Sequence, residues 1–460
     1  MKRILTPVLM ALLLVASASF ASDDIMDLFD VQEHVLDNGM RLLMIEDHSA
    51  PIISYMVYYD VGSRNERPGI TGMAHMFEHM MFRGSTKYGP EEHANIVKAN
   101  GGSLNANTWY DRTAYFENIS AEHLELVIHL EAERQANLTI NEDTFLPEQQ
   151  VISEERRQRV DNSLYGSAVE ELMTNVFRAH PYNWPVIGWM SDIQNYRIED
   201  LQWFHKTYYA PNNAVAIVAG DFDPDEAIEL VEKYHGPIPS QPLPVMAKTQ
   251  EPPQRGERRI EFHRPAQLPF LFAAYHTPAA SHTDIPALRV VEKILSDGES
   301  SRLYKKCVYE EQVARFAGGS LYELADPGLF MTYIGVNAGR DLEEAEGVLF
   351  GTIEDMAVNP VSDTELQKAK NQLEADFYSM LQTNYGKASS LGEACMLYDG
   401  DWEMGLRQFE ATKNVTADDV MRVVGKYFRP INRTTVILVP DNEVDPVDFS
   451  AETTETGEME

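Results

Sequence analysis

Cysteine is nearly absent. The 460 residues contain two, Cys307 and Cys395, which excludes a disulfide framework as the source of stability. An oxidising compartment would permit one bridge between them, and a pair of buried thiols is the other reading. Basic residues are scarce as well. Lysine and arginine total 38 against 72 aspartates and glutamates, for a formal net charge of −34, so a phosphate backbone finds no basic face and nucleic acid is excluded as a partner. Beyond the first twenty or so residues no apolar run is long enough to span a bilayer. The N-terminus carries Lys2-Arg3, an apolar run from Ile4 to Val15, and small residues ending Ser19-Phe20-Ala21-Ser22. That pattern reads as a secretory signal peptide cleaved after Ala21, and it places the mature chain in a periplasm or outside the cell.

The segment His75-Met76-Phe77-Glu78-His79 concentrates the chemistry. On a helix, histidines four apart and a glutamate just before the second share one face. Two neutral imidazoles so placed can hold one Zn²⁺ while the carboxylate takes a proton from water, an arrangement for hydrolysing a peptide bond. The plain alternative is a helix with polar groups on a surface or core face. Met76, Phe77, Met80, Met81 and Phe82 mark much of this helix as apolar core, where two histidines and a glutamate need a partner. Zinc hydrolysis also needs a third protein ligand. The stretch Pro147 to Arg157 reads as a helix opening at its proline, with Glu148, Val151, Ile152 and Glu155 on one face. Glu154, Arg156, Arg157 and Arg159 read as its solvated side. Between the two helices, Gly101-Gly102 precedes two short strands, Ser103 to Thr108 and Thr113 to Phe116, joined by a Trp109 to Arg112 turn. His93, His123, His129, His180 and His205 read as surface or hydrogen-bonded residues rather than catalytic ones.

These residues resemble the inverted-motif zinc metallopeptidases of the insulinase and pitrilysin group, in particular its processing-peptidase-like members. In that group a glutamate some seventy-odd residues after the second histidine completes the metal site, and another glutamate precedes it by seven. Here Glu155 lies 76 residues beyond His79 and seven beyond Glu148, and this spacing separates it from its neighbour Glu154. The resemblance implies His75, His79 and Glu155 as ligands of one Zn²⁺ per chain, Glu78 as general base, and Glu148 as a carboxylate supporting the ligands from behind. It also implies that Asn105, Ala106 and Asn107 lie on a sheet edge that pairs with the backbone of a peptide substrate. An ordinary hairpin with a blunted edge is the alternative.

The chain is too long for one core, and an internal repeat divides it in two. Asp200, Tyr208, Pro211 and Asn213 recur as Asp419, Tyr427, Pro430 and Asn432, each 219 residues on. Each copy reads as an amphipathic helix, a Pro-Asn turn and a β-branched strand. The expected fold is α+β: two homologous halves, each a mostly antiparallel sheet backed by helices, forming a clamshell around a peptide chamber. The expected organisation is a signal peptide over 1–21, a metal-binding catalytic domain over 22–240, a linker over 241–256, a homologous second domain over 257–440 and an acidic disordered tail over 441–460. In the second copy Arg289 and Lys293 stand where the histidines would be, and a cation cannot ligate zinc, so that half is expected to shape the chamber and hold substrate.

Many relatives carry an arginine and a tyrosine seven apart in the second domain, reaching toward the substrate carbonyl. Val308 and Arg315 occupy those positions here, and a homologous second subunit in a heterodimer is expected to supply the missing donor. The resemblance thus implies an exported zinc endopeptidase acting on short or unfolded peptides. The rival is a non-catalytic peptide-binding or assembly subunit of the same fold. The acidity leaves two readings, a chamber selecting basic peptides or a solubilising surface.

Overall fold

The computed structural model describes residues 29–243 and 248–441; the expected signal peptide and all but the first residue of the expected tail lie outside the described residues. Strands gather into two sheets. The first holds β1 (Val31–Val35), β2 (Arg41–Glu46), β3 (Ile52–Tyr59), β4 (Ser103–Thr108), β5 (Thr113–Ser120) and β6 (Ala214–Gly220), in the order β1-β2-β6-β3-β5-β4. The second holds β7 (Arg258–Arg264), β8 (Phe270–His276), β9 (Ala314–Tyr322), β10 (Leu329–Val336) and β11 (Arg433–Pro440), in the order β7-β11-β8-β10-β9. One pair in each is parallel, β2 with β6 and β7 with β11, and the other pairs are antiparallel. With β1 set aside the two orders match strand for strand, so the repeat in the sequence is a repeat of topology.

The recurring asparagine has a structural task in both copies. Asn213 Nδ2 donates to the carbonyls of Tyr208 (2.8 Å) and Asp60 (3.1 Å), and Asn432 Nδ2 donates to those of Tyr427 (2.8 Å) and His276 (3.0 Å). Each ties a helix end and the end of a neighbouring strand to the start of the last strand, satisfying carbonyls that the turn leaves unpaired.

Helices α1 (Met73–Met80), α2 (Glu92–Ala99), α3 (Leu124–Asn137), α4 (Glu142–Arg156), α5 (Leu164–Val176), α6 (Met190–Gln194), α7 (Ile198–Tyr208) and α8 (Pro224–Tyr234) accompany the first sheet. The second is accompanied by α9 (Ile285–Ser296), α10 (Leu342–Asp355), α11 (Asp363–Met380), α12 (Asn384–Leu397), α13 (Trp402–Lys413) and α14 (Ala417–Tyr427). No helix among the described residues is long and apolar enough to cross a membrane. Strand alternation sends Ile53, Tyr55, Val57 and Tyr59 into a core shared with α1, α3, α7 and α8. Met56 and Tyr58 face the other way and meet Ala388 and Leu391 of α12 and Leu406 and Phe409 of α13.

The loan is reciprocal. Leu172, Met173 and Val176 of α5 pack on Phe272, Ala274, Met331 and Val436 of the second sheet. These exchanged helices start alike: Ser163 Oγ accepts from Gly166 N, and Thr383 Oγ1 from Gly386 N, both at 3.0 Å. Burial on both faces explains why all seven residues of β6 are buried and its sequence, Ala-Val-Ala-Ile-Val-Ala-Gly, does not alternate. The cysteines sit in different cores and are free thiols, and burial pushes each up to about 12. The possible bridge is not formed.

One expected boundary is corrected. The helix expected to open at Pro147 begins at Glu142, and Pro147 lies inside it. Asn141 Oδ1 accepts from Thr144 N at 3.1 Å, and Thr144 Oγ1 accepts from Asn141 N at 3.2 Å. This capping box, with Glu142 and Asp143 at the positive end of the helix dipole, starts the helix upstream of the proline, which forfeits a single intrahelical bond.

Candidate metal centre

Helix α1 is placed by its N-terminus. Gly72 precedes it with φ +87°, and a β-carbon there would come within 2.3 Å of the Ile187 carbonyl oxygen. With no capping side chain at Gly72, the buried carboxylate of Glu66 accepts from Gly72 N (2.7 Å) and Ala74 N (2.8 Å). Met73, Ala74, Met76, Phe77 and Met80 face the core of the first sheet, and Tyr115 Oη donates to the Phe77 carbonyl at 3.0 Å. This anchoring turns His75, Glu78 and His79 away from the core, with both histidines facing α4.

Both imidazoles there meet Glu155. His79 Nε2 lies 3.3 Å from Glu155 Oε2, and His75 Nε2 lies 3.8 Å from Glu155 Oε1. On the far side of its ring, His79 Nδ1 is 3.1 Å from Glu148 Oε2. Glu148 is 1 % exposed and braced in turn by Arg83 Nε at 2.6 Å. Arg159 Nη1 contacts Glu155 Oε1 at 2.7 Å. Burial works against a charged His79, but hydrogen bonds to Glu148 and Glu155 outweigh it and push the group up to about 9. Burial alone dominates at His75 and holds it below the usual histidine value.

Do these donors suit a zinc ion? Ligand atoms of His75, His79 and Glu155 all lie within 4.8 Å of one another. Metal–ligand bonds of ~2.1 Å at tetrahedral angles put neighbouring donors about 3.4 Å apart, close to the 3.3 and 3.8 Å found here. His75 is buried and makes no hydrogen bond through either ring nitrogen, and its Nδ1 is fully enclosed. The other nitrogen, Nε2, faces Glu155 Oε1 at 3.8 Å, beyond hydrogen-bond reach, and a cation between the helices would supply the partner that a buried polar group requires there. Nitrogen, nitrogen and carboxylate oxygen with an open side make the donor set of a hydrolytic zinc site, and Glu148 occupies the position from which carboxylates orient ligating histidines.

The open side faces a cleft of about 610 Å³ whose lining includes His75, Glu78, Glu155 and residues 105 to 110. A smaller recess of about 290 Å³ adjoins it, and Glu78 and Asn105 line both. β4 is the outer strand of its sheet, paired with β5 alone. Of the three residues expected on that edge, Asn105 is exposed, Ala106 is buried and Asn107 accepts a hydrogen bond from Arg112. Thus His75, His79, Glu155, Glu78 and Glu148 come together, and the 105–107 edge lies beside them. Arg159, expected to be solvated, is exposed yet contacts Glu155, whereas Arg156, expected to be solvated too, is buried on Glu170, and Glu66 and Arg83 were not singled out from sequence. Arg83 lies in the turn after α1, three residues beyond Met80, and Glu66 in the loop before Gly72, so each is legible only once its loop is folded.

Comparison with known proteins gives a consistent picture. Residues 41–188 match the family described as insulinase (peptidase family M16), and residues 195–373 match the one described as peptidase M16 inactive domain. The chain is 33% identical over 413 residues to zinc protease PqqE of Helicobacter pylori, covering 88% of this chain and 92% of that protein. It is 25% identical over 402 residues to a probable mitochondrial-processing peptidase subunit beta of Arabidopsis thaliana, covering 85% and 75% respectively. Among solved structures, a protease from Helicobacter pylori superposes with a TM-score of 0.86 at 32% identity, over 90% of this chain and 100% of that one.

Proposed function

Because this chain belongs to the insulinase family, peptidase family M16, we propose that it is an exported zinc-dependent endopeptidase that hydrolyses short or unfolded peptides. The observation that carries this reading is the convergence of His75, His79 and Glu155 within 4.8 Å, at the wall of a cleft that Glu78 also lines. One zinc per chain is held by His75, His79 and Glu155, with Glu148 fixing the His79 ring. When bound, the ion supplies Lewis acidity that polarises a carbonyl and acidifies water. Glu78 accepts a proton from the attacking water and returns it to the nitrogen of the leaving amine. The free edge of β4 takes up the peptide backbone by main-chain hydrogen bonds, which tolerate most sequences. Export rests on the pattern of residues 1–21.

A homologous second subunit that supplies a hydrogen-bond donor to the reacting carbonyl is part of the proposal. It is supported by Val308, which packs against the core of the second half, by Arg315, which is exposed on β9, and by a relative named as a subunit. The rival, a peptide-binding subunit without activity, is favoured by the inactive-domain description of residues 195–373. Metal analysis and cleavage of a quenched peptide by the purified mature chain decide between them. One zinc per chain, with cleavage lost by about 10²–10⁴-fold in Glu78→Gln at unchanged zinc content, is expected; zinc-free, inactive protein alone and with its copurifying homologue establishes the rival.

A further inference from the structure

The face of the second sheet that receives α5 is covered only in part. Its centre, Phe272, Ala274, Met331 and Val436, lies beneath the helix. Toward β9 the same face carries Phe270, Tyr333, Phe316 and Tyr322 on three neighbouring strands, with Phe270 and Phe316 on either side of Gly335. Phe270 and Phe316 have ring centroids 5.0 Å apart, Phe316 and Tyr333 6.3 Å, and Tyr322 stacks on Trp109 of the first half at 5.9 Å. Phe316 and Trp109 remain 40 % exposed and Tyr165, at the start of α5, 53 %. Two glycines in strand interiors make room for these rings. A β-carbon at Gly318 would lie 2.7 Å from the Tyr333 hydroxyl, and one at Gly335 would lie 2.5 Å from the Phe316 ring. Strand-interior glycines of this kind mark places where something packs closely against the sheet. Along β9 this face reads Phe316, Gly318, Ser320, Tyr322, with no charge, in a chain of net charge −34. Scattered exposed aromatics are ordinary on a surface, whereas a contiguous patch marks a binding site.

The patch is continuous with the candidate centre. Trp109, Tyr322 and Tyr165 line the same cleft as His75 and Glu78. Glu78 and Asn105 line both this cleft and the recess beyond it, which puts the reacting bond beside Asn105, and β4 runs from there to Thr108, with Trp109 the next residue. β4 already pairs antiparallel with β5, and an antiparallel peptide on its free edge would place residues preceding the cut bond toward Trp109. At ~3.3 Å per residue the fourth residue lies about 13 Å away.

We propose that this aromatic corner is a substrate-binding wall that takes an aromatic side chain of an extended peptide about four residues before the bond to be cut. The inference rests on the peptidase reading of the same cleft and adds a substrate class: extended peptides with Phe, Tyr or Trp at that distance. Trp109 and Tyr165 of the first half and Phe316 and Tyr322 of the second thereby contribute side-chain recognition, and the polar edge of the first half contributes backbone recognition.

Binding and cleavage must be measured separately. Full-length Glu78→Gln chain, loaded with zinc, is titrated with two dye-labelled peptides that differ only in Phe or Ser four residues before the site cut by the unsubstituted chain. If nothing is cut, the pair carries Phe or Ser at the centre of an otherwise Gly/Ser/Ala peptide. The Phe peptide should bind about tenfold more tightly. Tyr165→Ser with Phe316→Thr, both at part-exposed positions, should bring the ratio below twofold with cooperative unfolding retained and zinc content unchanged. Tyr322→Phe should retain the ratio. A ratio near one in the Glu78→Gln chain overturns the wall, as does the same preference with Phe moved to the other side of the cut. Selective binding without cleavage by the unsubstituted chain removes the peptidase reading and leaves the wall standing. Cleavage without selectivity does the reverse.

Discussion

The helix that follows the central strand carries opposite chemistry in the two halves. In the first, α1 presents His75 and His79 to the carboxylates of Glu155 and Glu148. In the second, α9 presents Arg289 and Lys293 from the corresponding turns. Arg289 makes two bonds of 2.6 Å to Glu323, and Lys293 reaches Asp297 at 3.0 Å and Asp376 at 2.6 Å. Glu292, the counterpart of Glu78, accepts from Leu321 N at 3.3 Å, and burial pushes it up to about 7. Carboxylates face the helix in both halves, but only in the second is the compensating cation part of the chain at both positions. In the first half Arg83 and Arg159 reach these carboxylates from outside the helix, and the donor atoms of His75, His79 and Glu155 stay grouped within 4.8 Å.

Exchanging the cations tests this directly and should have the largest effect. His75→Arg with His79→Lys gives α1 the chemistry of α9, and its new side chains can pair with Glu155 and Glu148. The folded protein should retain no stoichiometric zinc by elemental analysis and no peptide cleavage; a doubly substituted chain that still binds one zinc would break the comparison. Next in size is Glu148→Ala. Removing the carboxylate behind His79 should weaken zinc affinity by about 10–100-fold in a chelator competition, with the fold retained. Arg289→Ala probes the other half: it leaves Glu323 without its bidentate partner, and because both side chains are about one-fifth exposed we expect a loss of about 1–3 kcal/mol in denaturant unfolding, with zinc content unchanged. The smallest effect concerns the metal-free protein. His79 is raised to about 9 when folded, against ~6.5 unfolded. Its contribution to stability is therefore complete below pH ~6.5 and lost as pH rises through 9. The melting temperature of the metal-free chain should fall over that window, whereas zinc affinity should rise as the imidazole gives up its proton.

How much of this was legible beforehand follows from the range of the interactions. The spacing within His75 to His79 is local, and one helical turn suffices to bring its side chains to one face. Asn213 and Asn432 each bond a carbonyl five residues back, at the end of the preceding helix, so the repeat could be read as well, although each also reaches a distant strand end that sequence does not show. Glu148 and Glu155 were legible as one face of a helix, although the start of that helix was not, because the capping box at Asn141 outweighed the proline signal. The exchange of α5 and α12 left no local trace. Apolar helical faces look alike whichever sheet they cover, and only packing specifies the partner. The same holds for Glu66, which caps α1 from a separate loop, and for Trp109 and Tyr322, which meet from opposite halves.

By itself the sequence determined the class of chemistry, the duplicated architecture and the absence of the histidine pair from the second copy, because those depend on residue type and on spacings within single elements. Tertiary structure decided the rest. It brought Glu155 to within 4 Å of both imidazoles, set Arg83 behind Glu148, and closed a cleft between the polar edge of one sheet and the aromatic corner of the other. These are meetings of side chains far apart along the chain, and the exchange of α5 and α12 between the two sheets holds them in place.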